Sequence, residues 1–256
     1  MPPTQVNNFC AIGIIFPVEN PRFTFTDIKW EYPVKAWDNM VCPQGGNWFG
    51  KEAVGDIGPM STLRRELSEE LSFEKPTRDN ELAHILDINV GPATSAPEAI
   101  RPPTENEREI LRDVTEAIIA NTVPFGDFYS FMPRSILDAA DASNQRGDAS
   151  AIVSTWIIPL PRDVWQKLTD LQVTFGNLSN ESRSVITSVD KMIEAGTRAA
   201  FGQDRILQAF WRAMEISRSK HLPLVEGVEH RLIGTPRASW TDYLNDWNPL
   251  KRPEGF

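Results

Sequence analysis

Arg65-Glu66-Leu67-Ser68-Glu69-Glu70 sets three carboxylates within five residues of chain. At about 100° per residue, a helix gathers Glu66, Glu69 and Glu70 into roughly 100° of arc, while Leu63, Leu67 and Leu71 fill an adjacent arc. Such a helix buries its leucines and shows a carboxylate cluster to a cleft. Clustered carboxylates repel one another, and some of their pKa values rise unless a cation joins them. A hard divalent ion such as Mg²⁺, or Mn²⁺ in its place, relieves that repulsion. It prefers oxygen ligands and shares its shell with water and substrate phosphate. Arg65 precedes Glu69 by four residues, the spacing of an ion pair that would hold the Glu69 carboxylate in place. Runs such as RRELSEEL also occur on ordinary solvated helix faces, so the helix alone does not decide the matter.

The preceding segment adds the missing context. Gly45-Gly46 follows a short apolar run, and Glu52 follows Gly46 with five residues between. Together, Gly46, Glu52, Arg65, Glu66, Leu67, Glu69, Glu70 and Phe73 resemble the Nudix box: Gly, five residues, Glu, seven residues, then Arg-Glu-apolar-x-Glu-Glu-x-Gly-apolar. Two positions depart from it. Twelve residues rather than seven separate Glu52 from Arg65, so five extra residues lie within Ala53–Arg64, and Ser72 stands where the family has Gly. A loop before a helix is the cheapest place to lengthen a chain. An alignment through Gly50 and Asp56 shortens the gap but loses both the Gly-Gly turn and the Glu, so Glu52 is preferred. The box covers about 31 of 256 residues.

The resemblance implies a Nudix-like α/β/α sandwich with a mixed sheet and hydrolysis of a diphosphate bond in a nucleoside diphosphate derivative or similar small diphosphate. It implies Mg²⁺ bound by Glu66, Glu69, Glu70 and the Gly45 carbonyl, with Glu66 in some members acting as base. Arg65, Gly46 and Glu52 would be supporting residues. Where the family takes its base from a later loop, Glu181, Glu194, Glu226 and Glu229 are the candidates, and nothing in the sequence ranks them. Trp37, Trp48 and Phe49 stand near the box and could stack on a base, although packing is the commoner use of tryptophan. Arg101, Arg134 and Arg162 could meet phosphate or be surface charges. The alternative function is a Nudix-fold module that binds a nucleotide or a protein without turnover.

Positioning these groups requires strands on both sides of a short helix. Phe9–Phe16 reads as a buried strand and Phe23–Trp30 as a half-buried one, because its apolar and polar residues alternate. Met40–Cys42 is a short strand, and Pro43-Gln44-Gly45-Gly46 reads as a turn. Ser61–Phe73 is helical, with Ser61 or Thr62 as cap. Ala83–Val90 reads as a strand. Gly91–Asn121 is an insertion whose helix starts at a Thr104–Glu107 capping box and carries Ile110, Leu111, Val114, Ile118 and Ile119 as its apolar stripe. Asp127–Met132 and Ala151–Ile158 read as strands around a polar loop, 138–148. Helices are expected over Pro161–Leu168, Ser184–Ala200 and Gln203–Ser217, and Trp240–Phe256 shows little periodicity. The expectation is therefore an α/β (α+β) architecture. It is one enlarged domain over 1–256, with its core at about 6–175 and a helical C-terminal extension at about 180–256.

Composition narrows the function classes. A formal charge of −9 disfavours non-specific nucleic-acid binding, which needs phosphate-neutralising Lys and Arg. A small phosphorylated, nucleotide-derived substrate remains compatible with a local cation. Three His without metal-like spacing and two Cys argue against a structural zinc site. No nucleophile elbow, P-loop or Gly-x-Gly-x-x-Gly is present. The apolar run Phe9–Phe16 is too short to span a bilayer. A soluble, cytoplasmic protein without a membrane partner is expected, and a homodimer is compatible.

Overall fold

A computed structural model describes residues 8–30, 32, 37–49, 54–73, 81–89, 101–133, 149–217 and 219–246. Among the described residues, eight strands form one mixed sheet, and helices cover both of its faces. The strands are β1 (Asn8–Pro17), β2 (Phe23–Lys29), β3 (Met40–Cys42), β4 (Gln44–Asn47), β5 (Val123–Met132), β6 (Ala149–Leu160), β7 (Arg183–Ser188) and β8 (Glu229–Gly234). The main path runs β3-β2-β1-β6-β5-β8, with β4 paired to β1 and β7 paired to β2. β1 and β6 are parallel from Asn8↔Ala151 to Pro17↔Leu160, and the other pairings are antiparallel.

Side-chain alternation along β1 separates the two cores. Phe9, Ala11 and Ile15 face one layer, which holds α1 (Pro59–Glu70), α3 (Glu105–Ala120), α4 (Arg162–Phe175) and α7 (Trp240–Asp246). Ile12, Ile14 and Phe16 face the other, which holds α2 (Glu81–Leu86), α5 (Val189–Glu194) and α6 (Asp204–Ala213). A strand in a sheet covered on both sides must be apolar on both of its faces, and the uninterrupted run Phe9–Phe16 meets that demand.

Several expectations are corrected. Residues Ala83–Leu86 lie in the helix α2, not in a strand, because Ala83 and Leu86 pack against the sheet at helical spacing. Ser184–Ser188 belongs to β7, and only Val189–Glu194 of the expected helix is helical; the β-branched residues of Arg183-Ser184-Val185-Ile186-Thr187-Ser188 pair with β2 instead. Gln44–Asn47 is a strand rather than a turn. β2 is buried on both faces rather than half-buried, since it is flanked by β3 and β7 and covered on both sides. Two of the strands, β7 and β8, lie within 180–256, so that region adds to the sheet as well as contributing helices. The Thr104–Glu107 capping box forms as expected. Glu52, Arg134, all of 90–100 and 134–148, and the tail beyond 246 lie outside the described residues. Among the described residues, no helix is long and apolar enough to cross a membrane.

Candidate functional site

The cleft arises where two strands part company. β1 and β2 pair at Ile15↔Phe25, after which β3 takes over as the partner of β2 and β4 as the partner of β1. A cavity of about 270 Å³ lies against this fork. Its walls include Cys10 and Ile12 of β1, Lys29 of β2, Cys42 of β3 and Gly45 and Gly46 of β4, with Glu66, Glu69 and Glu70 coming from α1.

Two glycines allow α1 to lie close over β4. Gly45 has φ +130°, and a Cβ there would stand 2.2 Å from the Ala11 carbonyl oxygen. Its N–H donates to Glu70 Oε2 at 3.0 Å. A Cβ on Gly46 would lie 2.4 Å from the Glu66 carboxyl carbon, so only glycine lets that carboxylate rest on the strand. The helix starts at Gly58 as N-cap, with Ser61 three residues in; the Ser61 hydroxyl accepts from the Ile57 and Gly58 amides at 2.9 and 3.0 Å. It ends at Leu71 with φ −76° and ψ 100°, an extended conformation that any residue adopts. The Ser72 amide then donates to the Leu178 carbonyl at 3.1 Å. No left-handed turn is made there, which is why Ser72 can stand in the place of a glycine.

Arg65 organises the outer half of the site. Its guanidinium donates to Asp56 Oδ2 at 3.1 Å, Glu69 Oε2 at 2.8 Å and the Asn47 carbonyl at 2.9 Å, and it pairs with Glu66 Oε1 at 2.7 Å. The expected Arg65–Glu69 pair is therefore present. Asp56 supplies an acid partner to Arg65, while Glu52 lies outside the described residues. Glu66 and Glu70 are buried at 6 % and 2 % exposure, whereas the Glu69 side chain is 56 % exposed.

Burial pushes the Glu66 carboxyl above its usual range, with Arg65 opposing the rise. Glu70 is driven well above its usual range by burial and by the nearby Asp27, opposed by Lys29 and the Gly45 N–H. Asp27 is also raised by burial, against the pull of Lys29 and of hydrogen bonds from Ser182, Gln44 and Ser179. Burial alone would lower Lys29, but its acidic neighbours Cys42, Glu70 and Asp27 more than reverse this, and its pKa lies above the usual value. Cys42 is pushed up to about 12 by burial and Cys10 likewise, so both are neutral thiols at ordinary pH.

Of the four later carboxylates, Glu181 alone lines the cavity, as part of loop 176–182 between α4 and β7. Phe49 lines the rim, with the Arg65 guanidinium 5.5 Å from its ring centre. Trp37 and Trp48 are packing residues outside the cavity lining. Trp37 stacks on Phe201, and Trp48 meets Phe9 edge-on while its indole donates to the Asp56 carbonyl at 3.0 Å. Arg101 pairs with Glu107 at 2.5 Å, and neither it nor Arg162 lines the cavity.

Sequence reasoning did not single out Asp27, Lys29, Tyr32, Ser130, Phe201, Gln203 or His230. The last three come from the C-terminal region and form part of the wall. His230 Nε2 lies 3.0 Å from the Phe201 carbonyl, which accepts, and burial lowers the imidazole pKa to about 4, so the ring is neutral. Among the described residues, no three carboxylate, His or Cys groups stand close enough as placed to hold an ion. Glu66, Glu69 and Glu70 instead point their oxygens at Arg65 and at the Gly45 N–H. No protein-family model matches the chain, and no curated protein matches it.

Proposed function

We propose that the protein is a Mg²⁺-dependent hydrolase of a diphosphate bond in a small, nucleotide-derived compound. The observation that carries this reading is the convergence of Glu66, Glu69 and Glu70 on one cavity, two of them buried. Burying several carboxylates together is unfavourable for the empty protein, and a divalent cation is the ligand that best offsets it. The donor set is carboxylate oxygen throughout, with Gly45 of the strand beneath, and it suits a hard ion once the side chains turn from Arg65 and the Gly45 amide.

Glu66, Glu69 and Glu70 would hold the ion. Bound Mg²⁺ would neutralise phosphate oxygens and acidify a water molecule. The chain itself does the rest by positioning. Arg65 fixes Glu66 and Glu69 on one side of the cleft. Lys29, charged and buried beside Glu70 and Asp27, balances the inner end. Glu181, exposed on its loop at the cavity, would accept a proton from the attacking water.

The test is incubation with nucleotide sugars, dinucleotides, nucleoside triphosphates and capped RNA in Mg²⁺ or Mn²⁺, beside the Glu69→Gln/Glu70→Gln double variant. Phosphate-bond cleavage lost in the variant is the expected result. No cleavage, with melting unchanged by either metal, would sink it. A second reading has its own observation. Arg65 and Lys29 already supply internal cations to these carboxylates, so a nucleotide-binding module without turnover fits as well. That reading predicts nucleotide binding that survives EDTA.

A further inference from the structure

Loop 176–182 carries one charged residue, Glu181, and almost every other polar side chain in it is tied down. Asn177 Nδ2 donates to the carbonyls of Ser179 and Ser182 at 2.8 and 3.2 Å, and Asn177 Oδ1 accepts from the Ser179 and Ser184 amides at 3.2 and 2.8 Å. The Asn180 amide donates to the Glu70 carbonyl at 3.1 Å, and Asn180 Nδ2 donates to the Glu69 carbonyl at 2.5 Å. The loop is thereby bolted to the last turn of α1, on two of the three residues whose carboxylates line the cavity.

The residues on either side of this stretch reach across to another strand. Ser179 Oγ donates to Asp27 Oδ2 at 3.1 Å, Ser182 Oγ donates to the same oxygen, and the two hydroxyls lie 2.9 Å apart. Gln44 Nε2 donates to Asp27 Oδ1 at 2.6 Å, tying in the residue before Gly45. Asp27 is 1 % exposed, and Ser179 and Ser182 are buried with it. Glu181 itself is exposed at the cavity and has no hydrogen bond or ion pair among the described residues. Burying a carboxylate beside Glu70 is costly. What it achieves here is a fixed frame, spanning β2, β4 and the end of α1, around one exposed carboxylate.

We infer that Asp27 is a positioning residue: through Ser179 and Ser182 it sets Glu181 over the cavity at a fixed distance from Glu69 and Glu70. The kinetic part of this inference rests on the hydrolase reading; the structural part does not. If Asp27 acts through Glu181, its loss costs nothing further once Glu181 is gone.

The experiment compares Asp27→Asn, Ser179→Ala/Ser182→Ala, Glu181→Gln and Asp27→Asn/Glu181→Gln in the full chain. Two readouts are taken: kcat and KM on the diphosphate that wild type cleaves best, and amide hydrogen exchange over 177–184. The expected result is a kcat about 10- to 100-fold lower in Asp27→Asn with KM within about two-fold, the range seen when a residue orienting a working group is lost. The Asp27→Asn/Glu181→Gln variant should be no slower than Glu181→Gln. Exchange at Ser179, Ser182 and Ser184 should quicken in Asp27→Asn and in the serine variant, while β1 and β6 keep their protection. Additive losses in kcat, or unchanged exchange in the loop, overturn the inference. Failure of wild type to cleave anything overturns the hydrolase reading alone, and loop exchange then still decides whether Asp27 is the anchor. If Asp27→Asn does not fold, the serine pair answers the same question.

Discussion

Two buried aspartates on different strands of one sheet make nearly the same hydrogen bonds to different ends. Asp27 on β2 is 1 % exposed and Asp127 on β5 is 2 % exposed. Asp127 accepts from Ser154 Oγ at 2.6 Å and from the Tyr243 hydroxyl, as Asp27 accepts from Ser179 and Ser182. Burial raises the carboxyl pKa in both cases. Their surroundings differ. Asp127 lies under an aromatic cluster in which Trp240 stacks on Phe9, Trp48 and Tyr243. The Tyr243 hydroxyl also accepts from the Arg237 amide at 2.8 Å, so this node pins residues 237–243 to the sheet. Asp27 lies among Lys29, Glu70 and the cavity. A buried carboxylate is therefore not by itself a sign of chemistry. The neighbouring charges and the exposed carboxylate held alongside distinguish the two nodes.

The largest expected effect would separate the nodes outright. Glu70→Gln should reduce turnover by roughly 100-fold or more, since it removes a group of the site itself rather than an orienting partner. Its melting temperature should hold or rise, because the neutral amide removes a buried charge next to Asp27. Asp127→Ala should do the reverse. It strands the Ser154 and Tyr243 hydroxyls in the core and should cost about 2–3 kcal/mol in urea unfolding, with kcat/KM within about two-fold of wild type. A large activity loss in Asp127→Ala at full occupancy of the folded state would show that the two nodes are one mechanism.

Much of the site helix was legible in advance. The four-residue leucine repeat, the Arg65–Glu69 spacing and the Gly-Gly before it each specify local geometry that tertiary packing only has to accept. The rest was hidden for identifiable reasons. Alternation in Phe23-Thr24-Phe25-Thr26-Asp27-Ile28-Lys29 predicts polar groups in water, but β2 is covered on both faces and spends them on partners: Thr24 Oγ1 donates to the Ile15 carbonyl and Thr26 Oγ1 to the Cys42 carbonyl, both at 2.8 Å. Six-residue elements such as α2 and β7 are too short for periodicity to distinguish helix from strand, and their neighbours decide. Phe201, Gln203 and His230 belong to no local pattern. His230 meets the cavity because β8 pairs with β5, and Phe201 and Gln203 do so because the chain at Arg198 and Ala199 runs beside Val41 of β3.

A middle-sized effect concerns pH and metal. Glu70, Glu66 and Asp27 have folded-state pKa values above their ordinary 4.5, 4.5 and 3.8. A carboxyl raised in this way stabilises the fold fully below its unfolded pKa and loses that contribution as pH rises through its folded value. The metal-free protein should therefore lose this part of its stability between acidic and neutral pH. Mg²⁺ binding needs the ionised groups, so its stabilisation should grow across the same window. At about 100 times its Kd, Mg²⁺ contributes roughly 2.7 kcal/mol, or several degrees of melting temperature. Glu70→Gln should flatten that Mg²⁺ effect. Asp127→Asn should leave it intact while removing its own share of the pH dependence. Equal Mg²⁺ shifts at low and neutral pH would break the assignment of the ion to these carboxylates.

The smallest effect sharpens the comparison from the structural side. Tyr243→Phe removes one hydroxyl that both donates to Asp127 and accepts from the Arg237 amide. Ser154 still donates to Asp127, so the carboxylate keeps a partner and no cavity forms. The loss should be about 1.5 kcal/mol, the lower end of the range for a hydrogen bond to a charged group. Thr62 accepts from the Trp240 indole at 3.0 Å and the Ile57 carbonyl accepts from the Trp240 amide at 3.2 Å, so a loosened C-terminal segment has a direct route to α1. If Tyr243→Phe lowers melting alone, that route transmits support without precision, and the accuracy of the site resides at the Asp27 node. If it lowers kcat in step with Asp27→Asn, the aromatic cluster sets the pose of α1 as firmly as loop 176–182 does.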